Sequence, residues 1–169
     1  NKVSDEIQII KSRSNFIEVV KKLGLNVRVF QIGKIKSSEL YNNPPIIINF
    51  IAPDSIVNIS RTEFFLELSS ESSFGFTESM DQPFKAVSYG KNIPTGIGDI
   101  LITPNMSNYL EYMGERIKIV VVPLEDTVLQ YQRNILVSAP DKVSNILNLS
   151  LRDPVQKKAK DILNALVDT

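Results

Sequence analysis

The hydrophobic residues of this chain change their period twice, and those changes divide it. In SDEIQIIKSRSNFIEVVKKL, from Ser4 to Leu23, the apolar residues Ile7, Ile10, Ile17 and Val20 keep three-and-four spacing around a polar stretch at Lys11 to Ser14. That is one face of an amphipathic helix. Ser4 is placed to cap its start, Asp5 and Glu6 lie where the helix dipole favours anions, Lys21 and Lys22 complement the other end, and Gly24 is the expected left-handed stop. Asn26 to Ile32 then alternates as a strand does, and Gly33 to Pro45 reads as a polar connection with room for a helical turn at Ser37 to Tyr41.

Between Pro45 and Leu124 the period drops to two, most clearly in Glu63-Phe64-Phe65-Leu66-Glu67-Leu68 and Arg116-Ile117-Lys118-Ile119. Six strands are expected there: 46–51, 62–68, 74–78, 86–89, 99–103 and 116–122, punctuated by Pro, Gly, Asn and Ser. Short strands with no helix between them predict an antiparallel sheet curled into a sandwich or small barrel. After Pro123 the helical period returns with Leu124, Val128, Leu129 and Gln132, followed by strands at 135–138 and 145–151. Asp153-Pro154 is an N-cap with proline at the first helical position, opening a last helix with Val155, Ala159, Ile162, Leu163 and Leu166 on one face and Lys157, Lys158 and Lys160 away from it. The expected class is α+β: a discontinuous base of residues 1–43 and 124–169, helices on a small sheet, interrupted by a β-rich insert at 44–123.

Composition closes several routes to function. The 169 residues include no Cys and no His, which removes the usual zinc sites, the cysteine nucleophile, the Ser-His-Asp triad and an imidazole base. The absence of Cys is permissive of an oxidising compartment. With 19 basic and 19 acidic side chains there is no bulk charge to hold nucleic acid, and 43% hydrophobic residues suffice for a core. The longest apolar runs, Ile46 to Ile48 and Ile119 to Val122, fall far short of the roughly 20 residues that cross a bilayer. The chain opens on Asn1 without a leader pattern, and its last helix is still periodic at Thr169, so it reads as an excised or processed piece.

Motifs that could carry chemistry have structural readings. Gly96-Ile97-Gly98 lacks a third glycine and a following helix, and reads as a β-turn; no Walker-type Gly-Lys-Ser/Thr occurs. The carboxylate pairs Asp5-Glu6 and Glu125-Asp126 sit at helix starts and, as neighbours on a helix, point apart. Phe64, Phe65, Phe74, Phe76, Phe84 and Tyr89 cluster in the β segment; without Trp, they read as core more than as a sugar-stacking surface. The triplets at Asn58, Asn105 and Asn148 match the glycosylation pattern, a short signal to which no function is attached.

The two flanks are more specific. SDEIQIIKSRSNFIEVVKKLGLNVRVF resembles the segment after the first membrane helix in the chain-length-determinant family, the polysaccharide co-polymerases, where an acidic start leads to I-x-x-I-K-S-R-S and then V-V-x-x-L-x-L. The distal segment resembles that family's L-S-x-x-D-P-x-x-A-x-x-I-x-N-A-L ending at Leu149-Ser150, Asp153-Pro154, Ala159, Ile162 and Asn164-Ala165-Leu166, departing slightly at Val155 to Lys158. The likeness is greatest to the long subgroup that includes membrane tyrosine autokinases of capsule and exopolysaccharide export. The resemblance implies the periplasmic portion of a bacterial inner-membrane protein, with two membrane helices and a long helical hairpin outside this chain. It implies a non-catalytic scaffold without cofactor or metal, self-associating into a ring, with an outer-membrane exporter, a polymerase and the polysaccharide itself as partners and no nucleic acid. Any kinase domain would be cytoplasmic and elsewhere. The rival readings are a sugar-binding or adhesin-like β module and a carboxylate-based glycan hydrolase, which needs two carboxyl groups roughly 5 to 9.5 Å apart in a cleft.

Overall fold

In the computed structural model, which describes residues 2–141 and 146–168, the elements run α1 (Lys2–Ile10), α2 (Arg13–Leu23), β1 (Val27–Ile32), β2 (Ser37–Glu39), β3 (Ile46–Phe50), α3 (Asp54–Val57), β4 (Thr62–Leu68), β5 (Ser73–Thr77), β6 (Lys85–Ser88), β7 (Asn92–Ile93), β8 (Ile100–Pro104), β9 (Arg116–Val121), α4 (Leu124–Asn134), β10 (Leu136–Ser138), β11 (Asn148–Ser150) and α5 (Gln156–Val167). The class is α+β, with antiparallel strand pairing throughout the described sheets. The chain divides into two compact units, Asn1–Asn26 with Leu124–Thr169, and Val27–Pro123. The first boundary lies at 26/27, not at the 43/44 that periodicity predicts. The cause is β1, which pairs with β9 along its whole length, from Val27 opposite Val121 to Ile32 opposite Arg116, and so belongs to the β unit.

In the helical unit, the first amphipathic stretch is two helices. Ser12 takes an extended conformation (φ −65°, ψ 146°) and its Oγ accepts from the Asn15 amide, capping α2; Ser4, expected as the cap, lies inside α1. Gly24 ends α2 at φ 63°, with its own N–H and that of Leu25 returning to the carbonyls of Lys21 and Val20. Phe16, Val19 and Val20 of α2, Val128 and Tyr131 of α4, and Ile162, Ala165 and Leu166 of α5 are buried, and α2 packs against both α4 and α5. The last helix begins at Gln156, not at Pro154. Asp153 makes its own turn instead, its Oδ1 accepting from the Val155 N–H at 2.9 Å. β10 and β11 form a two-stranded ribbon; the expected start of the latter at Asn145 lies outside the described residues.

The β unit holds a six-stranded sheet of order β2-β1-β9-β4-β5-β6 and a three-stranded sheet of order β3-β8-β7. Alternation puts Phe64, Leu66, Leu68, Phe74, Phe76, Ile117, Ile119 and Val121 of the first into one buried cluster with Ile46, Ile93, Ile100 and Ile102 of the second, the arrangement of a sandwich. Each such side chain contributes about 1.5–3 kcal/mol when fully buried. Tyr109, also in this cluster, keeps its hydroxyl satisfied: it donates to the Ser70 carbonyl at 2.5 Å and accepts from the Tyr89 hydroxyl at 2.6 Å. Burial, reinforced by the bond it donates to Tyr109, pushes the Tyr89 phenol above its ordinary range, and burial does the same to Tyr109. Residues 37–39, placed in a possible helical turn, instead form β2 against β1. The two-residue strand β7, pairing with β8, had no signal of its own.

Candidate functional site

In the β unit, β6 ends the six-stranded sheet and β7 ends the three-stranded one. A cleft of about 480 Å³, open to solvent, is lined by residues of both edges and the turns beside them. Its floor is apolar: Phe76 and Ile93 are buried and Val87 is half-buried. Its rim is polar, carrying Glu78, Ser79, Gln82, Lys85 and Asn92, with Pro83 and Pro94 in the walls. An apolar floor with a few placed polar groups is the usual build of a small-ligand site, and the volume lies in the ~300–1,000 Å³ such sites occupy.

The turn that carries Glu78, Ser79 and Gln82 is held by its own hydrogen bonds. Thr77 Oγ1 donates to the Ser79 carbonyl at 2.8 Å and accepts from the Ser79 amide, the Gln82 amide donates to the same carbonyl at 3.0 Å, and the Asp81 amide donates to Ser79 Oγ. In the turn after β7 the Thr95 hydroxyl donates to the Gly98 carbonyl at 2.6 Å, and the Gly96 amide donates to Glu78 Oε1 at 3.3 Å, tying that turn to the rim. Gly98 adopts φ 99° and its amide donates to the Thr95 carbonyl, so Gly96-Ile97-Gly98 lies in the turn expected. Glu78 is the one carboxylate among the lining residues, so the cleft does not supply the pair a glycosidase mechanism uses. Among the described residues no three metal-ligating side chains converge.

The outer face of the six-stranded sheet is a second distinct surface. Arg28 and Lys118 approach the Phe30 ring at 4.8 and 5.2 Å from its centroid, and Arg116 lies 5.1 Å from that of Phe84. Phe84 rests over Gly75, where an added Cβ would come within 2.9 Å of its own. Arg28 is paired with Glu39 at 2.8 Å and Arg116 with Glu67 at 3.0 Å, so this face carries both signs of charge. The six clustered aromatics are thus divided. Phe64, Phe74 and Phe76 are buried in the core, Tyr89 reaches into it, and Phe65 and Phe84 are half-buried on or beside the outer face.

The other singled-out residues take local roles. Glu125 lies in the first turn of α4, bonded to Arg13, and Asp5 in the first turn of α1. Asn58 ends α3; Asn105 Oδ1 accepts from Ser107 while its Nδ2 donates to Asn43 and the Pro44 carbonyl; Asn148 begins β11. In the helical unit, the two segments that carry the family resemblance meet. Asn15 Nδ2, buried, donates at 3.0 Å both to the Ile10 carbonyl and to the Leu166 carbonyl 151 residues away. Asp153 Oδ2 lies 3.1 Å from Lys158 Nζ, with the lysine side chain only 2% exposed and the aspartate side chain 8%. Lys158, expected on the solvent side of α5, is therefore part of its buried face, matched with the Asp of the Asp-Pro motif. No family model and no curated protein matches the chain.

Proposed function

We propose that the chain is a non-catalytic scaffold module from the periplasmic part of an inner-membrane polysaccharide co-polymerase, one that acts by shape and self-association to regulate the length and export of a capsular or exopolysaccharide. The observation that carries the reading is the meeting of the two resembling flanks. Segments separated by more than half the chain form one helical unit, joined by the Asn15–Leu166 hydrogen bond, and the Asp-Pro motif within it is engaged by a buried lysine. The β unit stands away from that role in sequence and offers surfaces to the exporter, the polymerase or the polymer.

Assembly tests the reading. Weak ring contacts gain from confinement in a membrane, because tethering raises effective concentration without adding a contact. Light scattering is expected to give a monomer or weak oligomer for residues 1–169 at micromolar concentration and a cyclic oligomer for the membrane-embedded parent in detergent or lipid. A parent protein that stays monomeric in a native-like bilayer overturns the proposal.

A further inference from the structure

We infer that the cleft between β6 and β7 is a saccharide-binding site, taking a short run of sugar rings with their C–H faces on the exposed Pro83 and Pro94 and the half-buried Val87, and their hydroxyls on the rim. Three observations converge on it. First, the side chains of Gln82, Lys85 and Asn92 are exposed around the cleft, and among the described residues none makes a hydrogen bond or ion pair within the molecule. Second, the rim mixes groups that both donate and accept (the amides of Gln82 and Asn92, the Ser79 hydroxyl) with an acceptor, Glu78, and a donor, Lys85. A polyol, each of whose hydroxyls both donates and accepts, uses such a set fully. A phosphate ligand finds one lysine offset by one glutamate, and a metal finds one carboxylate. Third, the rim is held by hydrogen bonds of the protein's own. The Thr77–Ser79–Gln82 turn closes on itself, the Gly96 amide holds the Glu78 carboxylate, and Pro83 and Pro94 restrict the backbone of the lining, which lowers the ordering cost of binding.

The inference deepens the scaffold reading by giving the β unit its ligand class, and it is decided by a different measurement. Residues 1–169 are applied to an array of neutral and uronate-containing oligosaccharides from bacterial capsules and exopolysaccharides, alongside the double variant Gln82→Ala/Asn92→Ala and the outer-face variant Lys118→Ala. The wild type is expected to be retained on a subset of glycans. The double variant should bind about tenfold more weakly, as loss of two net hydrogen bonds predicts, with an unchanged circular dichroism spectrum. Lys118→Ala should bind as wild type does. Retention of no glycan by the wild type overturns the inference, as does equal retention by the double variant. Loss of binding by Lys118→Ala alone would move the site to the outer face and overturn it equally. None of these outcomes alters the oligomeric state of the parent protein, so the scaffold proposal stands or falls separately.

Discussion

The cores of the two units are made of different material. In the β unit the buried cluster is apolar apart from the Tyr109 hydroxyl, and Thr77 is the buried polar residue of that unit among the described residues; the helical unit buries Asn15, Asn26, Thr127 and Lys158. A sheet with period-two alternation presents a continuous apolar face, and two such faces close on each other without needing polar contacts. Short helices from opposite ends of a chain present narrower stripes, and their termini leave orphan carbonyls. Asn15 answers two of these, at Ile10 and Leu166, and the Asp153–Lys158 pair fixes the approach to α5. The β unit is held by how much apolar surface it buries, while the helical unit is held by which groups are matched.

That contrast predicts separate responses to truncation. Phe64, fully buried and 5.7 Å in centroid distance from Phe76, should cost about 3–5 kcal/mol when changed to Ala. Ile162, fully buried on α5, should cost about 2–5 kcal/mol. If the units have independent cores, each substitution lowers the midpoint of one step in a urea melt followed by tyrosine fluorescence and by far-ultraviolet dichroism. A single transition shifted alike by both changes would show one cooperative core and end the distinction.

How far each unit was legible in the sequence follows from the same difference. β4 was read at its observed bounds, Thr62–Leu68, because its buried residues fall on every second position and nothing else decides its ends. For the same reason the bounds that alternation predicts for the other five strands differ from the observed ones by no more than one residue at either end. The helical unit was read less well where polar groups decide the structure. The Ile7 to Val20 pattern runs across the Ser12 break without marking it, and Lys158 reads as a solvated charge because the pattern gives its partner Asp153, five residues earlier, the role of a cap. β2 is polar and short, and its strand conformation comes from pairing with β1, a non-local cause. The cleft was illegible for that reason too, since its rim joins residues from 78 to 94 that meet only once the edges of two sheets are in place.

The buried ion pair offers the sharper test of matching against mass. Lys158→Met keeps the volume and apolar stem but leaves the Asp153 carboxylate buried without its cation, and removing one partner of such a pair costs about 3–5 kcal/mol. Adding Asp153→Asn removes the stranded charge and leaves an amide oxygen to accept from the Val155 N–H. The double variant should therefore regain most of the loss in a denaturant melt. Equal destabilisation of single and double variants would mean that Lys158 acts through packing alone, and the helical unit would then resemble its neighbour.

The smallest expected effect lies at the break between α1 and α2. Ser12 Oγ accepts from the Asn15 amide at 3.2 Å, and the extended Ser12 backbone sets where α2 begins, which in turn places Asn15 to reach both of its carbonyls. An N-cap serine replaced by alanine typically costs about 1 kcal/mol. If Ser12 only caps, Ser12→Ala should cost that amount and Ser12→Asp should restore it, since a carboxylate accepts the same bond and also favours the helix dipole. If the cap is also what positions Asn15, Ser12→Ala and Asn15→Ala will be non-additive, because the second change removes contacts the first has already weakened. A double-mutant cycle measures the coupling. Strict additivity would show that the Asn15 bracket is set by packing of α2 on α5, so that in this unit too the apolar face comes first and the polar matching follows from it.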